Sequence, residues 1–223
     1  PLLHGVPFSV KDMFDQKGFL NTLGTAWHAF DVRTEDCLIV KLYRQAGGIP
    51  LIRGNMPQAG LSIHTSNFLF GEGKNPHNKL RSPGGSSGGD AGMIAFRCVP
   101  VGIGSDIGGS LRWPPAFCGI YGFKPSNHRM PTLGKSSALR TRIDGSKQLF
   151  AVTGPMGSSV SDLIVQMKVS CPEGIHKTDP NMIPLGWRTE RSTAILADKS
   201  KVRVGMLAPS PLLPISASNH RAL

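Results

Sequence analysis

The apolar positions of this chain fall into short runs divided by glycine- and proline-rich turns, and the runs switch between two periods. Residues 6–10 (VPFSV) form a short strand-length run with Lys11-Asp12 at its end. Farther on, Leu38, Ile39, Leu42, Tyr43 and Ala46 recur at helical spacing. Thr34 suits the cap of that helix, Glu35 and Asp36 suit its positive end, and Gly47-Gly48 ends it. Residues 49–52 then make a second apolar strand. Strand, helix, strand is the pattern of a parallel sheet in an α/β protein. Residues 55–78 read as a long polar loop, a length usually reserved for function.

A helix over 89–98 and a strand over 99–104 follow, the strand delivering Ser105-Asp106. Pro114-Pro115 blocks helix continuation and leaves 110–113 irregular, and 116–123 (AFCGIYGF) reads as buried apolar chain. The remainder predicts a basic loop over 125–144, a strand at 149–152 and a helix at 160–169 started by Ser159 or Ser161. A Pro-rich surface segment over 172–198 and a last strand at 202–207 complete the pattern.

Two glycine-flanked serine sites stand out, GGSSGG at 84–89 and DIGGS at 106–110. Glycines beside a serine let the backbone turn tightly and leave N–H groups free. Such N–H groups can hold a developing negative charge, so the pattern points to acyl transfer by an activated serine. The plainer reading of GGSSGG is a flexible linker. Apolar runs on both sides leave no domain boundary there.

A serine hydroxyl needs a base. The G-x-S-x-G elbow, His-Glu-x-x-His and a P-loop ending in Lys-Ser/Thr are all absent, and the glycines of GIGSDIGG miss the dinucleotide spacing. That leaves lysine, which serves as a base when burial lowers its pKa. Lys11 stands at a strand end, where ligands bind in open α/β sheets, but an ordinary surface charge is the better reading of a lone lysine there.

Composition narrows the setting. At 223 residues and 39% hydrophobic content the chain fits one large or two small globular domains. No apolar run approaches the roughly 20 residues of a spanning helix. The net charge of +11 is spread along the chain without a Lys/Arg block, so nucleic acid is not expected as a partner, and a solvated basic face near acidic lipid is the better reading. Cys37, Cys98, Cys118 and Cys171 form no C-x-x-C pair, and the seven histidines, including His64, His77 and His128 in polar loops, lack ligand spacing. Buried free thiols in a reducing compartment, no metal and no cofactor are the expectation. The opening PLLHGVPFSV, without Met, and an open-ended finish suggest a fragment at both ends.

The run GGSSGGDAGMIAFRCVPVGIGSDIGGSLRWPPAFCGIYGFKP resembles the amidase signature family of serine amide hydrolases nearly end to end. The resemblance covers residues 1 to about 170 and thins afterwards. It implies a twisted mixed β-sheet flanked by helices, incomplete at both ends, with residues 1–223 forming part of a single domain. Carried onto this chain, the family's lysine is Lys11, its serine after a cis peptide is Ser86, and its nucleophile is Ser110. Lys11 and Ser86 stand 75 residues apart, Ser86 and Ser110 24, intervals that fit the fatty acid amide hydrolase branch. The segments NTLG, NMPQ, SNFLFG and NPHN are similar to that branch as well.

The resemblance further implies an oxyanion hole from the N–H groups of Ile107, Gly108, Gly109 and Ser110, with Ser87, Asp106 and Arg112 in support. Asp106 and Arg112 read equally well as structural. The expected substrate is a lipid amide, with intracellular residence, endomembrane association and a homodimer as attendant expectations. Two departures bear on the substrate: Gly157-Ser158 stands where the family often has arginine after GPM, and the 129–150 loop is a few residues longer. Two other readings stay open: the glutaminase subunit of a tRNA-dependent amidotransferase, and a truncated, non-catalytic relative.

Overall fold

The computed structural model describes residues 1–136, 151–203, 205, 212, 215–217 and 221, and all that follows concerns those. The chain divides into two compact units, Pro1–Trp187 and Arg188–Leu223. In chain order the first unit holds β1 (Pro7–Lys11), α1 (Leu38–Gln45), β2 (Ile49–Gly54), β3 (Ser66–Asn67), β4 (Gly71–Glu72), α2 (Gly88–Ala95), β5 (Val101–Asp106), α3 (Trp113–Cys118), β6 (Tyr121–Gly122), β7 (Val152–Gly157) and α4 (Val160–Ser170). The second unit holds α5 (Glu190–Ala197) and a short 3-10 turn, Lys199–Lys201.

β1 lies between β2 and β5 and runs parallel to both. β7 joins β5 antiparallel, and β6 pairs β7, giving the order β2-β1-β5-β7-β6. The sheet is therefore mixed, as the resemblance implies.

Alternation along β1 explains its central place. Phe8 and Val10 enter one apolar cluster with Ile39, Val40 and Tyr43 of α1 and with Met167 of α4. The Phe8 and Tyr43 rings meet edge to face at 5.1 Å. Ser9 and Lys11, on the opposite face, are equally buried. A second apolar cluster, Ala91, Ile94, Val99, Leu111, Cys118 and Met156, gathers around α2.

Local rules account for the helix ends. Ser159 starts α4 with a reciprocal capping box: its Oγ accepts the Asp162 N–H at 3.2 Å, and its own N–H donates to Asp162 Oδ2 at 2.8 Å. Thr34, by contrast, does not cap α1. The carbonyls of Asp15 and Leu133 take the Cys37 and Leu38 N–H groups, so tertiary contacts satisfy that end.

Several sequence expectations are corrected. The chain forms α3 straight through Pro114-Pro115, because prolines in a first turn lack N–H groups that would have had no partner anyway. Of residues 116–123 only Cys118 is buried; Phe117, Tyr121 and Phe123 are each about half exposed. β5 extends to Asp106 rather than ending at 104. β7 starts where the strand predicted at 149–152 ends; Leu149 and Phe150 lie outside the described residues. ERSTAILA at 190–197, free of glycine and proline, is helical rather than part of a Pro-rich surface segment. Val202, Arg203 and Gly205 stand in no strand, and the rest of the strand predicted at 202–207 lies outside the described residues. Cys37, Cys118 and Cys171 are buried free thiols and Cys98 is exposed. Among the described residues no helix is long and apolar enough to cross a membrane.

Candidate active site

The candidate site forms where the carboxyl end of β1 meets the two serine turns. Lys11 closes β1 and is wholly buried. The first turn is pinned from outside, with Thr65 Oγ1 donating to the Gly84 carbonyl at 2.8 Å. Gly85 must be glycine, since a Cβ there would lie 2.6 Å from the Ser62 carbonyl oxygen. The Gly85–Ser86 peptide is cis. The chain then enters α2 with Ser87 at its cap position.

Lys11 Nζ donates to three hydroxyls, Ser86 at 2.7 Å, Ser105 at 2.9 Å and Ser87 at 3.1 Å. Ser86 Oγ lies 2.9 Å from Ser110 Oγ. The structure thus brings Lys11, Ser86, Ser87 and Ser110 together. Gly104 makes room for the cluster: a Cβ on it would fall 2.9 Å from Ser87 Oγ. Burial pushes the Lys11 amine down to about 7; the Asp90 and Asp106 carboxylates pull it back up and the Lys135 amine pushes it further down.

Asp106, at the end of β5, organises the second turn. Its carboxylate accepts the Gly109 and Leu111 N–H groups at 2.8 and 3.0 Å and the forked Arg112 guanidinium at 3.0 Å twice. Burial pushes this carboxyl up, but Arg112 and the two N–H groups outweigh it and hold the group below the usual carboxylate range. One prediction is corrected by this arrangement. The Gly109 N–H, expected in an oxyanion hole, is committed to Asp106 because that carboxylate closes the turn from below. Among the described residues no protein acceptor takes the Gly108 or Ser110 N–H. Ile107 is half exposed at the mouth of the turn.

Sequence reasoning gave no role to Ser105 or Asp90. A hydroxyl at the end of an otherwise apolar strand was the available signal for Ser105. Asp90, in the first turn of α2, reads from sequence as an ordinary dipole partner. It is instead fully buried.

Two cavities open nearby. One, about 330 Å³, adjoins Ile107 and is lined also by Asn127, Met130, Lys135, Thr153 and Asn181. Burial holds the Lys135 amine down to about 8, and it donates to the Ala151 carbonyl. The other, about 460 Å³, is walled by Phe19, Leu20, Val32 and Phe70 beside the Asp12–Arg53 ion pair. Among the described residues no three His, Cys, Asp or Glu side chains converge as metal ligands.

Comparison with known proteins gives the family and the fold. The family model described as Amidase matches residues 1–223. The vitamin D3 hydroxylase-associated protein of Gallus gallus is 34% identical over 222 residues, which is 100% of this chain and 46% of that protein. Fatty-acid amide hydrolase 1 of Sus scrofa is 37% identical over 204 residues, 92% of this chain and 34% of its own. A solved structure of fatty acid amide hydrolase superposes with a TM-score of 0.78 at 31% identity, covering 83% of this chain and 32% of that one. The chain therefore spans less than half the length of each of these relatives.

Proposed function

The chain belongs to the amidase family, and from that premise we propose that the full-length protein hydrolyses fatty acid amides of the N-acylethanolamine or primary amide type. The observation that carries this reading is an unbroken path for a proton, from Ser110 Oγ across 2.9 Å to Ser86 Oγ and on across 2.7 Å to Lys11 Nζ.

In the proposed reaction Ser86 takes the proton of Ser110 as its own passes to neutral Lys11. Ser110 Oγ forms a bond to the amide carbon, and the carbonyl electron pair moves onto oxygen. The Gly108 and Ser110 N–H groups, with Ile107 beside them, are disposed to hold that charge, and one such donor is typically worth about 3 kcal/mol. Ser86 then gives its proton to the amine nitrogen as Lys11 returns one to Ser86 and the C–N bond breaks, leaving an acyl ester on Ser110 and a neutral Lys11. Water repeats the cycle in the other direction and releases the acid. A base that must be neutral makes kcat/KM rise as pH rises through about 7, where Lys11 loses its proton.

The fatty acyl part draws support from the fatty-amide-like sequence segments, from fatty-acid amide hydrolase 1 of Sus scrofa and from the solved fatty acid amide hydrolase. The backbone of 62–64 abuts Gly85, and exposed Leu61 and Ile63 flank that contact with apolar surface. The test is a fluorophosphonate probe and a panel of oleamide, acetamide and glutamine on the full-length protein. Ser110 should label, and Ser110→Ala should lower oleamide hydrolysis at least about 10³-fold. An unlabelled Ser110 overturns the hydrolase reading; a labelled enzyme that leaves oleamide intact overturns the substrate.

A further inference from the structure

Asp90 lies on α2, which packs over β1, β2 and β5. Its carboxyl is buried, and a Cβ built on Gly54 would meet its Cγ at 2.2 Å and its oxygens at 2.2 and 2.3 Å. The carboxyl therefore sits on the backbone of Gly54, the cross-strand partner of Lys11. Neither oxygen has a well-aligned hydrogen-bond donor among the described residues. The Ser9 hydroxyl stands near it on the same strand as Lys11, also without an aligned partner. A buried carboxylate in that state is costly unless a cation balances it.

The surrounding charges identify the cation. From β2, Arg53 also draws the Asp90 carboxyl down, but less than Lys11 does, and its Nη1 and Nη2 are committed to the Phe14 carbonyl at 2.8 Å and to Asp12 at 2.9 Å. From β5, Asp106 is held by Arg112. From α3, the Cys118 thiol is pushed up to about 11 by burial and donates to the Pro83 carbonyl. β7 contributes no titratable side chain. Lys135 donates to the Ala151 carbonyl. Lys11, whose own hydrogen-bond partners are all neutral hydroxyls, is the cation that acts on Asp90 most strongly.

We propose that Asp90 is a positioning residue for the amide chemistry, the buried carboxylate that balances the ammonium formed when Lys11 takes the proton of Ser86. The proton itself stays on Lys11 Nζ and returns by the same hydroxyl, and Asp90 acts through the field it places on that amine. Burial raises the Asp90 carboxyl to about 7, the same range as Lys11, so the charges of the two are linked across neutral pH. This role rests on the hydrolase reading above.

The experiment is the pH profile of oleamide kcat/KM, and of the fluorophosphonate labelling rate, in full-length wild type, Asp90→Asn, Asp90→Glu and Ser9→Ala. Removing the carboxylate should lower the Lys11 pKa and move the acid limb down by about one pH unit. Asp90→Glu, which keeps the charge, should leave the limb near wild type. Ser9→Ala removes the neighbouring hydroxyl, makes Asp90 harder to ionise, and should move the limb the same way by a few tenths of a unit. A merely structural Asp90 would change the plateau or Tm and leave the limb in place, and that result overturns the proposal. If Asp90→Asn does not fold, an unmoved limb in Ser9→Ala overturns it instead. A wild type that neither labels nor turns over defeats the hydrolase reading itself, a different failure from an active enzyme with an unmoved limb.

Discussion

The two sets of side chains on β1 are both buried, yet they are built from opposite materials. Phe8 and Val10 press into an apolar cluster with α1 and α4, where every contact adds stability. Ser9 and Lys11 meet α2 and the serine turns, where an amine, a carboxyl and several hydroxyls share a dry space. The first set holds the strand in place; the second uses that rigidity to keep a costly arrangement together. Burial alone does not separate core from site here. Separation comes from whether the buried polar groups find partners.

Substitutions should separate the two sets. The largest expected effect is on chemistry: Lys11→Met should cut amide turnover about 10²- to 10⁴-fold, the usual worth of a positioned base. Its Tm should also fall: Ser86, Ser87 and Ser105 each keep another partner, but the buried Asp90 carboxyl loses the amine that balances it. The pH dependence should change as well. Folded Lys11 ionises near 7 and unfolded lysine near 10.5, so the unfolded chain binds more protons between them and native stability rises with pH across that window. Denaturant titrations at several pH values should show a steeper rise in wild type than in Lys11→Met, where Lys135, held down to about 8, still contributes.

Phe8→Ala, on the apolar side, should do the reverse. It should lower stability by about 3–5 kcal/mol by chemical denaturation and reduce activity only as far as folded protein is lost. Gly54→Ala probes the boundary, since its Cβ must displace the Asp90 carboxyl; a loss of about 1–3 kcal/mol is expected, together with a shifted pH profile. Ser159→Ala, remote from both sets, should cost about 1 kcal/mol through the lost capping box and leave the profile unchanged.

Legibility in the sequence followed the range of the forces involved. α4 was readable, its start narrowed to Ser159 or Ser161, because the cap and the apolar spacing lie within a few residues of each other. The serine turns were readable because glycine requirements are written locally. Their partnership with Lys11 came from a family resemblance, because nothing within 75 residues of intervening chain records that contact. α3 was missed because its prolines fall in the one turn that tolerates them. Asp90 was missed because a first-turn acid looks the same whether it faces water or a buried lysine. The Gly109 N–H was misassigned because a backbone donor's destination depends on where Asp106 closes the turn.

Lys11 reaches the serines through sheet pairing rather than through the stretch of chain between them. That intervening stretch includes an exposed tip around Phe68 and the Gly71–Glu72 edge. A single protease cut at the tip would leave one piece bearing the amine and another bearing both hydroxyls, still zipped together along β1 and β5. Two polypeptides made separately on either side of that tip carry, between them, everything needed to rebuild the site by complementation.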